Sequence, residues 1–564
     1  MHLKYIFLVA SVVSWLPSAL AQGQPALPSP ALPTAPQQFL QETEAHRQRL
    51  EDAQRQRQLR REPSPIPAPV QEPLPSPNTP CWAVSGISLT GNQMIPSAAL
   101  REAVQPHVSL CLSPGQINRL LAAITQVYAA AGYIASRPLL LAPPQDGQPL
   151  QLAVEEGFVE AIELAEEDLP VRLSAAFPHM LGQPLQLRQL EQGLDQLNRL
   201  RSVDLVADIL PGALPGGSRI VLRALSRLSR WQSAIGWDNN GSLSTGRDRV
   251  NVSLSLDNPL QHNDVLSLYA NASQANAGAG SEALGLYYSV PYGPWSGAVS
   301  ANHFRYHIRP QGQAAPLAFS GSSSVVSYSL ERALWRDQHR LLSATWRLDD
   351  KRAEGRLQGR RLGVQSPRYH SLEVGLNGLW LGDSTWAGYL GYARGLGGWS
   401  GNDGRPVKQP GAQTARYGKW RASLSRTATY QWAGLQWTLV NAIQGQYSAQ
   451  PLPSLETLAL ASGTPVRGFR SGGVDSGSGA AWQNTLYLPW APTPGLRLTP
   501  SLGLDAGWAD GHGRAPGARL LGASLGAGLS HAHGGVSLHY QRSLYRRGLA
   551  TEPGYWRLAV QLQF

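Results

Sequence analysis

The stretch Tyr555–Phe564, YWRLAVQLQF, decides the fold of this 564-residue chain. Its apolar side chains recur at every second position: Trp556, Leu558, Val560, Leu562 and Phe564. Because successive side chains of a strand point to opposite faces, the stretch predicts a strand with one apolar and one wetter face. Alternating segments of about ten residues with aromatic side chains near their ends are typical of outer-membrane β-barrels.

The same alternation extends backward over most of the chain. Two clear examples are Val250–Leu256, with Asn and Ser between its apolar residues, and Leu372–Leu381, with Trp380 and Trp386 in or near it. A soluble β-sandwich also alternates, but it needs neither about 335 residues of such sequence nor aromatic residues concentrated at strand ends. At about 21 residues per strand and connection, residues 229–564 predict a barrel of about 16 antiparallel strands.

Composition narrows the class of protein further. Charged residues make up only 15% of the chain, whereas 58 Gly, 17 Trp and 19 Tyr accompany an ordinary hydrophobic fraction of 42%. This balance is unusual for a cytosolic enzyme. The formal charge of +11 raises the question of nucleic-acid binding, but the Lys and Arg residues are dispersed and form no basic stripe, so we expect no nucleic-acid partner. The length predicts several domains.

The N-terminus predicts export. Lys4 precedes an apolar run, and Ala19-Leu20-Ala21 forms the small-x-small pattern that signal peptidase cleaves, so residues 1–21 are expected to be a signal peptide. In an oxidising compartment, Cys81 and Cys111 are close enough in sequence to share one small domain. We expect a disulfide between them. Two buried thiols are the alternative, and the pair makes a poor metal site.

Residues 22–80 divide into three segments. Residues 22–36 are rich in Pro and Ala, and residues 63–80 form a Pro-rich, extended linker. Between them, residues 37–62 are almost all good helix formers, contain no Gly or Pro and lack a continuous apolar face. We expect a helix that is polar all round and lies in water or in a wet cavity. A disordered or weakly helical spacer is the alternative.

Two similar α+β units are expected between the linker and the barrel, at residues 81–156 and 157–228. The first unit is expected to start with a strand around Trp82–Leu89, and Ser113 and Pro114 predict the start of a long helix that ends near Gly132. The second unit repeats a strand, helical sequence and two further strands. Each unit is expected to have strand edges available to a partner.

Catalytic motifs occur only in weak form. Gly522–Gly526 matches G-x-S-x-G, but a nucleophile elbow requires a strand, a sharp turn and a helix, whereas Ser524 lies in alternating sequence typical of a strand. The stretch Gly411–Trp420 lacks the spacing and the Ser or Thr of a phosphate-binding loop. The sequence therefore predicts no catalytic residue, no metal and no cofactor, and any transport must be driven without nucleotide.

One further constellation is Val466-Arg467-Gly468-Phe469, flanked by Gly- and Ser-rich sequence. An Arg on a glycine-supported loop could form a bidentate pair with a carboxylate on a barrel strand. Asp505 is the candidate, because its small neighbours leave room and the alternation points it into the lumen. Composition alone leaves an ordinary surface loop as the alternative.

The order of these parts resembles the outer-membrane transporters of two-partner secretion, the TpsB family that includes ShlB, FhaC and HecB. The resemblance covers essentially the whole mature chain. Asn484 departs from the family pattern, because many relatives have an acidic residue at that position. The most specific match is Val466–Phe469, which resembles the family's VRG(F/Y) motif, and the other matching stretches are Pro80–Trp82, Gly132–Ile134, Asp238–Gly241 and Thr245–Arg247.

The resemblance implies roles for the parts. Residues 37–62 would plug the barrel, and the two α+β units would be POTRA domains. A long loop around residues 453–480 would fold into the pore, where Arg467 would pair with Asp505 and lock it. Phe564 would be the signal that the barrel-assembly machinery reads.

The implied function is export, without ATP, of a large unfolded TpsA-type exoprotein, which the POTRA domains would receive in the periplasm. Haemolysins, adhesins and contact-dependent inhibition toxins are the candidate cargoes, and the sequence does not separate them. A barrel-assembly insertase, which usually carries more POTRA units, and a passive porin, which needs none, are the alternatives. All three would lie in outer-membrane lipid.

Overall fold

The computed structural model describes residues 44, 47–57, 80–109, 111–275, 278–308, 318–337, 339–397, 415–461, 465–470, 474–511, 517–547 and 552–564. The expected signal peptide, the segment 22–36, the linker up to residue 79 and both ends of the segment 37–62 lie outside these residues. Residues 47–57 form the first helix, α1. Among the described residues, no helix is both long and apolar enough to cross a bilayer.

The first α+β unit is a three-stranded sheet covered by two helices. Its strand β3 is central, parallel to β1 and antiparallel to β2. Ser113 begins the long helix as predicted, because its side chain accepts from the backbone N–H of Gln116 while Gln116 caps Ser113 in return. The elements are β1 (Gly86–Thr90), α2 (Ser97–Val104), α3 (Pro114–Ala130), β2 (Arg137–Leu140) and β3 (Pro149–Glu155).

The sequence patterns missed one helix of this unit and misplaced one strand start. Helix α2 buries only Leu100 and Val104 and has no side-chain N-cap, so neither its periodicity nor its capping is a strong signal. Strand β1 begins at Gly86 and not near Trp82, since Trp82 forms only a single bridge with Leu112.

The second α+β unit repeats the topology of the first. Its central strand β6 is parallel to β4 and antiparallel to β5. The apolar core contains Leu190 and Leu197 of the longer helix and extends to Val265 of the barrel. The elements are β4 (Phe158–Leu164), α4 (Leu173–Ala176), α5 (Leu187–Asn198), β5 (Val203–Pro211) and β6 (Gly217–Arg227).

Sixteen antiparallel strands among the described residues close into a barrel, which confirms the predicted strand number. Two short strands, β14 and β22, pair with the ends of β13 and β23. The strands are β7 (Trp231–Asp238), β8 (Arg249–Asp257), β9 (Val265–Gln274), β10 (Gly280–Tyr292), β11 (Trp295–Ile308), β12 (Phe319–Arg336), β13 (Arg340–Leu357), β14 (Arg360–Leu362), β15 (Arg368–Leu381), β16 (Ser384–Gly397), β17 (Gly418–Trp432), β18 (Leu435–Tyr447), β21 (Gly479–Tyr487), β22 (Trp490–Thr493), β23 (Leu496–Ala509), β24 (Ala518–His531), β25 (Gly534–Arg546) and β26 (Tyr555–Gln563); β19 (Leu458–Ala459) and β20 (Asp475–Ser476) form a small separate sheet between β18 and β21.

The alternation read from the sequence separates the outer and inner faces of the wall. Trp556 and Leu562 of β26 are exposed on the outer face, and Phe564, which follows that strand, is 75% exposed. Ser524 lies in β24, where its neighbours continue the strand in both directions, so it is not at a strand-to-helix elbow. Polar and charged side chains are therefore left to face the lumen.

The ring closes between its last and first strands over a short ladder. Strand β26 pairs with β7 over five residues, from Ala559 opposite Asp238 to Gln563 opposite Ala234. Beyond this ladder, the Asn239 side-chain amide donates to the backbone carbonyl of Trp556 at 3.1 Å and accepts from the N–H of Leu558 at 3.0 Å. The Asn239 backbone N–H also donates to the carbonyl of Leu558 at 3.2 Å, and Ser233 and Phe564 exchange two backbone hydrogen bonds at the other end, so side chain and backbone together extend the seam.

The first α+β unit contains a disulfide between Cys81 and Cys111, whose Cα atoms are 5.4 Å apart and which are separated by 30 positions. Replacing both cysteines by serine should lower the stability of this unit by about 3 kcal/mol, because the unfolded chain regains the entropy of an open loop. Hydrogen exchange of the full-length protein should show faster exchange in α3 and β3 and unchanged exchange in the barrel. Equal protection of α3 in both proteins would contradict the prediction.

Candidate functional site

The N-terminal helix is bound to the inner wall of the barrel through charged side chains. Glu44 pairs with Arg347 of β13 and Arg421 of β17, each at 2.9 Å. Further along the chain, Arg55 of α1 donates two hydrogen bonds to Glu331 of β12, at 3.0 and 2.9 Å. The helix therefore lies in the lumen, and its polar circumference faces a charged wall, in keeping with the expectation of wet surroundings.

The second α+β unit also contacts this helix from the end of the barrel. Arg199, at the C-terminal end of α5, donates to the Gln54 side chain at 3.1 Å and to Ser289 of β10 at 2.7 Å. Arg57 donates to the backbone carbonyl of Arg199 at 3.2 Å. One arginine therefore joins the helix, the α+β unit and the barrel wall.

The long connection between β18 and β21, residues 448–478, folds back into the lumen and brings Arg467 onto Asp505 of β23. The guanidinium donates to both carboxylate oxygens, from Nε at 2.6 Å and from Nη2 at 2.5 Å, and the backbone N–H of Arg467 adds a bond of 3.0 Å. Asp505 has no exposed surface. The sequence thus singled out two residues that the structure places in a bidentate ion pair.

Glycines allow the loop tip to approach the wall this closely. Gly468 has φ of +89°, and a Cβ there would lie 2.3 Å from the backbone carbon of Arg542. Across the contact, a Cβ on Gly522 would lie 1.8 Å from the carbonyl oxygen of Arg467. A larger residue at either position would force the loop tip away from the strand.

The other residues of the motif anchor the tip by packing. Val466 and Phe469 are fully buried. The next residue, Arg470, donates to the backbone carbonyl of Asn239, and its guanidinium carbon lies 4.6 Å from the centre of the Tyr555 ring. The apolar neighbours of the tip come from the loop and from the wall: Leu460, Ala461, Val474, Ala481, Ala509, Ala518 and Leu520.

Asn484, the position at which many relatives were expected to carry an acid, contributes through its backbone. Its carbonyl oxygen accepts from Arg467 Nη2 at 2.8 Å. Its side-chain amide donates to the carbonyl of Leu504 at 3.1 Å and accepts from Asn441 at 2.5 Å. The guanidinium therefore has a second polar contact that does not require a carboxylate at residue 484.

A second anchor of the loop, Glu456, was not found from the sequence. Its carboxylate accepts from Lys351 and Lys419, each at 2.7 Å, and from the Tyr369 hydroxyl at 2.9 Å. Burial alone would raise the pKa of this loop carboxyl, but the two lysine charges outweigh burial and hold the pKa well below its usual range. No local pattern marks Glu456, because its partners lie far away in the sequence.

The two lumenal elements are joined by a chain of ion pairs along the wall. Lys351, which binds Glu456, also pairs with Asp349 at 3.2 Å. Asp349 pairs with Arg347 at 3.4 Å, and Arg347 pairs with Glu44 of the N-terminal segment at 2.9 Å. A cavity of about 380 Å³ lies beside these groups, between the helix and the loop. Charges next to a cavity of this kind can exchange a protein partner for water.

Comparison with known proteins identifies the family of the chain. The family model described as haemolysin secretion/activation protein ShlB/FhaC/HecB matches residues 216–529. The chain belongs to this family. A POTRA domain of ShlB type matches residues 82–157, and a second POTRA domain matches residues 158–211, so the two α+β units are POTRA domains.

Individual relatives agree over most of the chain. The haemolysin transporter protein ShlB of Serratia marcescens is 33% identical, over 82% of this chain and 81% of its own. The outer membrane transporter CdiB-2 of Burkholderia pseudomallei is 29% identical, over 91% of both chains. Among solved structures, CdiB from Escherichia coli superposes with a TM-score of 0.82 at 26% identity, over 96% of this chain and 100% of that one.

Membership of this family gives the cellular location and the activity of the protein. This ShlB/FhaC/HecB-type protein is a two-partner secretion transporter of the outer membrane, and its POTRA domains lie in the periplasm, as predicted. The comparisons do not favour an insertase or a porin. Its family consists of transporters of exoproteins and not of known enzymes.

The pairing of Glu44 predicts an effect on channel conductance. Glu44→Gln removes the charge that holds Arg347 and Arg421, so the helix should leave the lumen more often, and planar-bilayer recordings should show more frequent high-conductance openings. Asp52→Asn is the matched control, because this half-exposed acid pairs with Arg55 of the same helix. Equal opening frequencies in the two variants would argue against an anchoring role for Glu44.

The Glu456 anchor predicts local loosening of the loop. Glu456→Gln leaves the buried Lys419 without its carboxylate and leaves Lys351 with Asp349 alone, which costs on the order of 3 kcal/mol, and less where the nearby cavity supplies water. Hydrogen exchange of residues 454–461 should therefore accelerate. Glu354→Gln, which breaks an exposed pair with Arg356, should have no effect on these residues.

The stabilisation of the loop by Glu456 should not change on mild acidification. Because the folded-state pKa of Glu456 is lowered, its stabilising contribution is complete above the ordinary glutamate value of about 4.3 and is lost only as the pH falls below it. Exchange rates of residues 454–461, corrected for intrinsic pH dependence, should be equal at about pH 7.5 and 5.5. Acceleration at pH 5.5 would contradict this assignment.

Proposed function

We propose that this chain receives an unfolded TpsA-type exoprotein at its POTRA domains, residues 81–156 and 157–228, and passes it through the lumen after the N-terminal helix and the loop 448–478 move aside. The proposal rests on the attachment of the two elements that fill the lumen, the N-terminal helix and the loop 448–478. Both filling elements are held to the wall by ion pairs and hydrogen bonds, and the part of the helix that the structure describes is polar over most of its surface.

The first POTRA domain has the more accessible strand edge for such a cargo. Within the described residues, β1 pairs only with β3, and an apolar groove beside β1 is lined by Ile87, Leu89, Leu100, Val104 and Val108. In the second domain, Val159 of β4 exchanges backbone hydrogen bonds with Gly182 and Gln183, which cover that edge. An extended segment adding to β1 would gain main-chain hydrogen bonds with little demand on its sequence.

The Arg467–Asp505 pair is the proposed lock of the loop, with Val466, Gly468 and Phe469 shaping the contact. While the pair is closed, the tip blocks the lumen beside β23. Cargo entering from the periplasm would displace the helix and then the loop, and folding of the cargo outside would prevent its return. No step requires nucleotide, cofactor or covalent chemistry, so we propose a transporter without enzymatic activity.

The relatives' names suggest the class of cargo. ShlB is named a haemolysin transporter and CdiB an outer membrane transporter, and we propose a haemolysin or contact-dependent inhibition toxin, with an adhesin as the further candidate. For biogenesis, we propose that Phe564, exposed at the end of the last strand, is read by the barrel-assembly machinery.

A double-mutant cycle tests the lock. Arg467→Ala and Asp505→Ala should each abolish most secretion of the cognate exoprotein, because removing one partner leaves the other charge buried and unpaired, at a cost on the order of 3–5 kcal/mol. The double variant should lose less than the sum of the single losses. Heat-modifiable mobility on gels checks that the barrel still inserts.

Asp510→Ala is the matched control, because Asp510 is an exposed carboxylate just beyond the same strand. It should secrete normally. Normal secretion by either lock variant, or strictly additive losses, would remove the pair from the mechanism while leaving the family assignment intact.

A further inference from the structure

Four side chains form a continuous row on the outer face of the barrel: Arg340, Trp380, Trp386 and Arg426. They are direct cross-strand neighbours on β13, β15, β16 and β17, with Arg340 opposite Trp380, Trp380 opposite Trp386, and Trp386 opposite Arg426. At the spacing of adjacent strands, the two arginine Cα atoms are about 15 Å apart. Two cations therefore flank two indoles along one cross-strand row of the wall.

The row lies at the rim of the barrel that faces the periplasm. Arg336, next to the turn before β13, binds Asp195 of the second POTRA domain at 2.6 Å, which marks this rim as the POTRA side. Trp380 and Trp386 share the outer face with the exposed residues Leu376 and Leu390. The row is thus placed where acyl chains meet the headgroups of the periplasmic leaflet.

The arginines lean over the indoles. The Arg340 guanidinium carbon lies 4.8 Å from the Trp380 ring centre, and that of Arg426 lies 5.3 Å from the Trp386 ring centre. Among the described residues, neither guanidinium forms a direct ion pair with a carboxylate, and Arg426 donates to the Ser384 hydroxyl at 3.2 and 3.0 Å.

Asp337, in the turn before Arg340, is engaged mainly by the backbone. Its carboxylate accepts from the backbone N–H groups of His339 and Arg340, at 2.9 and 2.8 Å, and its charge also acts on Arg340 without a direct ion pair. Guanidinium groups at a membrane interface attract anionic headgroups, and their planar donor pairs suit phosphate oxygens.

We propose that this row is a binding site for an anionic glycerophospholipid of the periplasmic leaflet. The phosphate lies between the two guanidinium groups, the indoles contact the glycerol region, and the acyl chains descend along Leu376 and Leu390. Lipid binding at this row depends neither on the cargo nor on the lumenal lock. The four residues of the row take no part in the proposed transport mechanism.

A related arginine–tryptophan pair lies elsewhere on the outer face, on β12 and β11. Arg332 lies over the Trp295 ring at 5.0 Å, the two residues are opposite each other on β12 and β11, and Trp295 packs against Trp346 with ring centres 6.1 Å apart. This pair has one cation instead of two. It should account for weaker lipid binding that remains when the four-residue row is altered.

Native mass spectrometry of the full-length transporter in detergent tests the proposal. Phosphatidylglycerol is titrated against the unaltered protein, Arg340→Gln/Arg426→Gln, and the matched control Arg360→Gln/Arg361→Gln, which removes two exposed arginines at the opposite end of β13. The first binding constant should weaken about 20-fold in the row variant and stay within twofold in the control, since each interfacial arginine contributes about a fivefold preference for anionic lipid. Arg340→Lys/Arg426→Lys keeps the charges and should fall between the two.

Two further titrations distinguish an anionic lipid from a zwitterionic lipid and from free phosphate. Phosphatidylcholine, whose choline cation offsets the phosphate charge, should bind more weakly than phosphatidylglycerol and should lose less affinity in the row variant. Millimolar inorganic phosphate should not displace phosphatidylglycerol. The proposal is overturned if the row variant and the control weaken equally, if neither weakens, or if phosphatidylcholine binds as tightly as phosphatidylglycerol. Displacement by free phosphate would also overturn it in favour of a simple anion site.

Discussion

Everything in this structure depends on closing a sheet in lipid. A bilayer offers no water to an unpaired backbone group, so the strands must form a complete ring, and the alternation of side chains then sends apolar groups outward and polar groups inward. A ring of sixteen strands is too wide for its own inward side chains to fill. The remaining space must be occupied by other parts of the chain, and these parts must accept polar surroundings.

The helix and the loop satisfy this requirement in different ways. The loop tip combines one buried ion pair with an apolar contact around Phe469, so it is fixed both by charge and by packing. In its described residues, the helix is held mainly by charged side chains, of which Glu44 and Arg55 are the clearest examples. Since ion pairs near water are weak individually, a helix held in this manner can be bound firmly as a unit and yet leave without disrupting an apolar core.

Local sequence patterns were sufficient for the parts of the fold that depend on local periodicity. The strand number, the capped helix that begins after Ser113 and the lumenal direction of Asp505 all follow from spacing or from turn chemistry. Glycines and small neighbours suggested the pairing of Arg467 with Asp505, but only the resemblance to the family's VRG(F/Y) motif favoured it over an ordinary surface loop. Glu456 was missed because it meets Lys351 and Lys419 only after distant strands come together. Helix α2 was missed because two buried residues are too few to establish a period.

The seam between the last and first strands gives the wall a direction of least strength. Other neighbouring strands, such as β7 with β8 and β25 with β26, share eight or more residue pairs, whereas β26 and β7 share five. Hydrogen bonds act in parallel around a hoop, so an outward load is resisted least where the fewest bonds cross. Asn239 reinforces this line with its amide, and Arg470 of the inward loop binds the same residue. The inward loop is therefore also a brace across the shortest ladder of the cylinder.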